Sequence, residues 1–339
     1  MKKRFLLLSI LFVVIIIVLV ININKSSNNS KEEEKEVSEV KKELQIINLD
    51  SKTRPIAIMI NNIDTVVGYQ SGLDEAYLVY EMMVEGGYTR LMALFKDKTL
   101  SRVGPVRSSR HYFLDYAKEN DAVYVHFGWS PQAEEDIKTL NVDNINFMTY
   151  DGYIRDTSLD LATEHTVFTT TDNINAGIEK YDYDKKSDSE PLLNYSVDDI
   201  NLETTENVLP ANNISLKFSN NHVTTFTYDE QNKVYLRSQN NLSQTDYVTK
   251  KQYETKNIII YQIDYETISN DQKGRQTVDN VGTQTGYYIT NGYAINITIS
   301  KSSRTGKTKY IKEDGTELTV NDGNTYIEIV PTSGNISIN

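Results

Sequence analysis

The chain begins with its most apolar stretch and then turns abruptly polar. Residues 5–21 are apolar except for Ser9 and follow Lys2, Lys3 and Arg4. The run reaches the lower end of the roughly 17–25 residues needed to cross a bilayer, and the preceding cations favour a cytoplasmic N-terminus. Asn22, Ile23, Asn24 and Lys25 carry no small-residue cleavage pattern. The pattern therefore predicts residues 1–25 as a membrane anchor containing a single uncleaved transmembrane helix, with an atypically cleaved signal peptide as the alternative. Both readings export the remainder. Residues 26–50 open with Ser, Asn, Lys and Glu and almost nothing to bury, which predicts a disordered stalk.

Folded pattern starts at Arg54-Pro55, where residues 56–60 form a continuous apolar run of the kind buried on both faces of a sheet. Two apolar stretches between residues 76 and 95 flank Glu85-Gly86-Gly87-Tyr88 and predict a β-hairpin, with a helix over 73–83 as the competing reading. Residues 108–119 read as a serine-capped helix and 122–127 as a strand. Ser130 and Pro131 read as the N-cap and first residue of a second helix. After residue 210 alternation dominates: 223–228 with 234–238, then 257–263, then 287–290 and 293–299 about Asn291-Gly292, with further strand pairs at Asp314-Gly315 and Asp322-Gly323. These elements predict a mixed α/β (α+β) N-terminal domain at residues 51–185, a linker at 186–210 and a β-rich antiparallel C-terminal domain at 211–339.

Composition narrows the chemistry. The 339 residues include no cysteine, which removes disulfides, thiolate nucleophiles, sulfur metal sites and cysteine lipidation. A net charge of −12 argues against nucleic acid as a partner and against anionic polymer coating the whole surface, while leaving room for a local basic pocket. Four histidines at 111, 126, 165 and 222 lack metal-ligand spacing. With no nucleotide or dinucleotide fingerprint either, the sequence predicts neither metal nor cofactor.

Functional residue types concentrate between Glu81 and Pro131. Arg90, Arg107, Ser108 and Arg110, around a Gly-Pro turn that opens a helix, suit recognition of carboxylate or phosphate, because each guanidinium offers a planar fork of donors. The competing reading pairs Arg107 and Arg110 with Glu81 and Glu85 in the interior. His126, at the carboxyl end of a strand, is a candidate base, acid or ligand, or simply a strand-end histidine bonded to backbone. Glu85 and His165 are its candidate catalytic companions, while Ser130 reads as a cap rather than a nucleophile. Basic residues at 273–275 and 301–309 read as a solvated hairpin face.

Several words occur in a telling order: Arg54-Pro55-Ile56-Ala57, Gln70-Ser71-Gly72-Leu73, Glu85-Gly86-Gly87, Thr89-Arg90, Gly104-Pro105-Val106-Arg107-Ser108 and Tyr124-Val125-His126, then Gly274-Arg275 and Gly323-Asn324-Thr325-Tyr326-Ile327. In this order they resemble the YerB-like envelope proteins of Gram-positive bacteria. The resemblance implies an exported, membrane-held, two-part protein of unassigned activity. Many such relatives look like lipoproteins, and without cysteine an N-terminal helix would replace the lipid here. Phe127-Gly128-Trp129-Ser130 and His165-Thr166 depart from the family's words. The expectation is a membrane-tethered extracytoplasmic module that binds an anionic cell-wall or small-molecule ligand or an envelope protein. The alternative is an envelope hydrolase or transferase working through a His/Glu pair with arginine stabilising negative charge.

Overall fold

The computed structural model of the protein describes residues 42–339, so the apolar run at 5–21 and most of the expected stalk lie outside the described residues. Among the described residues no helix is long and apolar enough to cross a membrane. The N-terminal half supplies β1 (Ile56–Asn62), β2 (Leu78–Met83), β3 (Thr89–Phe95), α1 (His111–Glu119), β4 (Val123–His126), α2 (Pro131–Thr139), β5 (Asn144–Asn146) and α3 (Thr171–Lys180). The C-terminal half adds β6 (Asn213–Lys217), β7 (Val223–Asp229), β8 (Val234–Gln239), β9 (Asn257–Thr267), β10 (Gly282–Thr290), β11 (Tyr293–Lys301), β12 (Lys309–Lys312), β13 (Thr325–Pro331) and β14 (Asn335–Ile338).

Local signals act where the pattern placed them. The Glu85–Gly87 turn joins β2 to β3 as an antiparallel hairpin, and of the competing helix only a 3-10 turn at Leu73–Glu75 forms. Asn291 and Gly292 take φ of 51° and 81° between β10 and β11, the left-handed pair that a two-residue hairpin turn requires. The Ser130 hydroxyl accepts from the Ala133 amide at 3.2 Å, with Pro131 opening α2. The expected serine cap on α1 does not form: Arg110 occupies the N-cap, and the Ser109 hydroxyl instead accepts from the Tyr124 hydroxyl at 3.0 Å.

The halves of the chain share one sheet, in the order β12-β11-β10-β9-β13-β2-β3-β1-β4-β5. The C-terminal half is strand-rich but not purely antiparallel, because β13 runs parallel to both β9 and β2. This also corrects the strand pair expected at Asp322-Gly323: Thr319–Asn321 pairs with Asn194–Ser196, while β13 enters the centre of the large sheet. Alternation along the central strands feeds two cores. Ala57, Met59, Tyr80 and Ile327 pack with α1 on one face, and Ile58, Ile60, Val79 and Tyr326 pack on the other with α3 and the second sheet, β8-β7-β6-β14.

The basic run at 301–309 is not simply a solvated face. Lys301 is 2% exposed and its ammonium lies 2.6 Å from Glu119 of α1, and Arg304 spans Asp115 of α1 and Asp136 of α2 at 2.9 and 2.6 Å. These pairs tie the β11 end to the N-terminal helices.

Candidate functional site: an arginine cleft at the end of strand β1

The segment after Gly104-Pro105 lies along β1. The Asn61 amide donates to the Pro105 carbonyl and the Arg107 amide to the Met59 carbonyl, both at 2.9 Å. On its other side the Phe127 amide donates to the Arg107 carbonyl at 3.0 Å, and the Ser109 amide to the Gly128 carbonyl at 2.9 Å. Arg107 and Ser108 are thus fixed between the end of β1 and the turn after β4. Gly128 takes a φ of +74°, and a Cβ there would fall 2.8 Å from the Met148 sulfur. Only glycine leaves that floor clear.

The three expected arginines differ in how far their needs are met. Arg110 is saturated: its Nε and Nη2 donate to the two Glu85 oxygens at 2.5 and 2.9 Å. Burial would raise the Glu85 carboxyl, but Arg110 and then Arg90 hold it below its usual range. Arg90, on β3, donates to the Ser108 carbonyl and lies 3.9 Å from Glu85. Burial, Arg110 and Arg107 together push its pKa down to about 9. Arg107 is the unsatisfied member. Its Nη1 donates to the Glu164 main-chain carbonyl at 2.9 Å, its Nε is buried with no acceptor, and no carboxylate among the described residues forms an ion pair with it. Burial pushes its pKa down, although Glu164 opposes the shift. Glu85 and Glu164 face Arg90, Arg107 and Arg110 here, three cations against two acids, which leaves positive potential to spare.

The histidines separate. His165 is part-buried, with Nδ1 2.9 Å from the Asn61 side-chain amide. Burial and the Arg107 charge lower its pKa, which favours the neutral ring. His126 is fully buried, its Nδ1 2.8 Å from the Gly128 carbonyl and its Nε2 3.0 Å from Asn144 Oδ1. Of the two readings of His126, the strand-end structural one describes this geometry. Tyr124 stacks on its ring and Trp129 tilts across it. Glu81, the other acid expected to meet arginine, is engaged on the opposite side of the sheet by Arg237 of β8 and by His222.

A cleft of about 440 Å³ opens over Arg107 and Ser108, walled by Phe127, Trp129, Met148 and Arg155. Asn61 and Arg155 were not singled out by sequence reasoning. Nothing in the pattern around Arg155 marks it, whereas Asn61-Asn62, ending an apolar strand, was a visible polar signal. Among the described residues no group of three or more His, Asp or Glu side chains is placed to hold a metal ion.

Residues 44–184 match the family described as "Protein of unknown function (DUF3048) N-terminal domain", and residues 214–327 match its C-terminal domain. The chain is 31% identical over 287 residues to "Putative lipoprotein YerB" of Bacillus subtilis (strain 168), covering 83% of this chain and 82% of that protein. The crystal structure of YerB protein from Bacillus subtilis superposes with a TM-score of 0.72 at 30% identity, covering 84% of this chain and 94% of that one. The ordered words that carried the resemblance, the two matched domains and the shared fold lead to one conclusion: this chain belongs to the YerB-like DUF3048 family.

Proposed function

We propose that the protein is a membrane-held extracytoplasmic binding module whose first half takes an anionic envelope-derived ligand in the cleft over Arg107. The observation that carries this reading is the state of Arg107 itself: a part-buried guanidinium with a buried, unpartnered Nε, at the floor of a cleft and backed by Arg90 and Arg110. A part-buried guanidinium without a counter-carboxylate is costly, and an incoming oxyanion would supply the missing charge. The relative's description as a lipoprotein supports an envelope location, and the run at 5–21 supplies the means of attachment.

The geometry favours binding over catalysis by His126. A ring with both nitrogens engaged and no exposed surface cannot relay protons to a ligand. Glu85, clamped by Arg110, is likewise unsuited to act as a base. The reading is tested by incubating the full chain with a digest of cell-wall material and analysing what co-purifies by mass spectrometry. Retention of fragments bearing phosphate or carboxylate supports it, and retention of neutral fragments alone contradicts it.

A further inference from the structure

Arg155 lies on the short strand Ile154–Arg155, which pairs antiparallel with Val167–Phe168. Its Nη1 donates to the Thr163 carbonyl, one residue before the Glu164 carbonyl that receives Arg107. The two guanidiniums are therefore moored to successive carbonyls of one 3-10 turn, Thr163–His165, and both line the same cleft. With three residues per turn, successive carbonyls of a 3-10 turn point about 120° apart, so the two forks enter the shared cleft from different directions. Like Arg107, Arg155 forms no ion pair with a carboxylate among the described residues. Its guanidinium carbon lies 5.6 Å from the Phe127 ring and 5.7 Å from the Tyr153 ring, within cation–π range. These contacts orient it without consuming its donors.

We infer that Arg155 and Arg107 form a two-arginine clamp for a phosphate ester, with its organic group against Met148 and Trp129. The inference rests on the reading of the cleft as an anion site and adds the ligand's class. A carboxylate offers two coplanar oxygens, which one guanidinium fork already satisfies, whereas a tetrahedral phosphoryl group presents several oxygen edges to forks arriving from different directions. Met148 is 66% exposed beside the cleft, an apolar surface without a partner that suits an attached ring or chain. Glu164 is the one acid on the cleft's lining and opposes an anion there. Its removal separates ligand electrostatics from folding.

The test titrates the detergent-solubilised full chain with phenyl phosphate, dihexanoyl phosphatidic acid, inorganic phosphate and benzoate. At least one phosphate ester binds about tenfold or more tightly than benzoate, R107A and R155A each weaken that binding about tenfold or more, and R155K does not restore it, since a lysine's compact ammonium lacks the planar fork that presents two parallel donors to a phosphoryl edge. E164Q tightens it. Preference for phosphatidic acid assigns the phosphate to a lipid headgroup, and preference for phenyl phosphate to a soluble ester. Equal affinity for benzoate and phosphate esters overturns the phosphate assignment. Weakening by R107A but not by R155A removes Arg155 while leaving the anion site standing. No binding of any probe overturns the clamp and the anion reading together.

Discussion

Glu81 and Glu328 are register partners on adjacent parallel strands at the centre of the large sheet, both fully buried, and their surroundings are unequal. Glu81 accepts from Arg237, Thr89 and Asn62 and meets the His222 ring at 2.8 Å, while Glu328 receives no hydrogen bond from an amide, hydroxyl or cationic donor and faces Glu81 itself. Burial would raise both carboxyls. Arg237 and His222 nevertheless pull Glu81 below its usual range, whereas burial and the Glu81 charge push Glu328 well above its own. The pair keeps one charge and one proton.

A raised folded-state pKa favours folding most below the unfolded value and less as pH climbs past it. For Glu328 that decline starts near the ordinary glutamate value of 4.5 and continues upward until its raised folded-state pKa is passed. E328Q removes this titration. Denaturant melts of parent and variant from pH 5 to pH 8 should show the variant losing less stability over the interval. A variant whose loss parallels the parent's throughout would mean that Glu328 is already ionised and paired.

Arg237 is 1% exposed and supplies the cation nearest Glu81. Breaking a buried pair strands the remaining charge, at about 3–5 kcal/mol. R237M should therefore lower unfolding free energy at neutral pH by that order, and E81Q in the same background should recover part of it. A loss below about 1 kcal/mol, the range of a surface pair, would show the network to be hydrated.

The two cations that tie β11 to the N-terminal helices should differ in weight. Lys301 is buried against Glu119, which also accepts from Tyr80 and Thr308, while the Arg304 side chain is 40% exposed. K301M should cost about 3–5 kcal/mol and R304A about 1–2 kcal/mol, since it strands the buried Asp115 and Asp136 but removes an exposed guanidinium whose place water can take. Chemical denaturation of both variants checks the ranking, and an equal loss would contradict it.

The parts of this molecule legible in its sequence are those fixed by short-range chemistry. The apolar run of β1, the hairpin at Gly86-Gly87, the Asn291-Gly292 turn and the Ser130-Pro131 cap each follow from a few neighbouring residues. The insertion of β13 between β9 and β2 was not legible, because pairing partners for a buried central strand are chosen across the whole chain. Lys301 read as solvated for the same reason: its acid is 182 residues away. In the candidate site the clustering of Arg90, Arg107 and Arg110 was visible, but which of them Glu85 would neutralise depended on the turn that carries it. Arg155 gave no signal, since the Thr163 carbonyl that moors it shares no motif with it.

His126 serves as a test of the structural reading. Replacing it with Ala removes contacts to Gly128 and Asn144 and leaves a cavity beneath Trp129, at about 2–4 kcal/mol. Ligand retention by the folded fraction should persist. Selective loss of a turnover activity, with stability unchanged, would restore the catalytic reading.

The central claim is that Arg107 serves a ligand rather than the fold. Ligand retention and the thermal midpoint measured side by side for the full chain and its R107A variant address it most directly. The account predicts at least about a tenfold loss of anionic-ligand retention, with the midpoint shifted by no more than about 4 °C. A large fall in the midpoint with retention by the folded protein intact would contradict it.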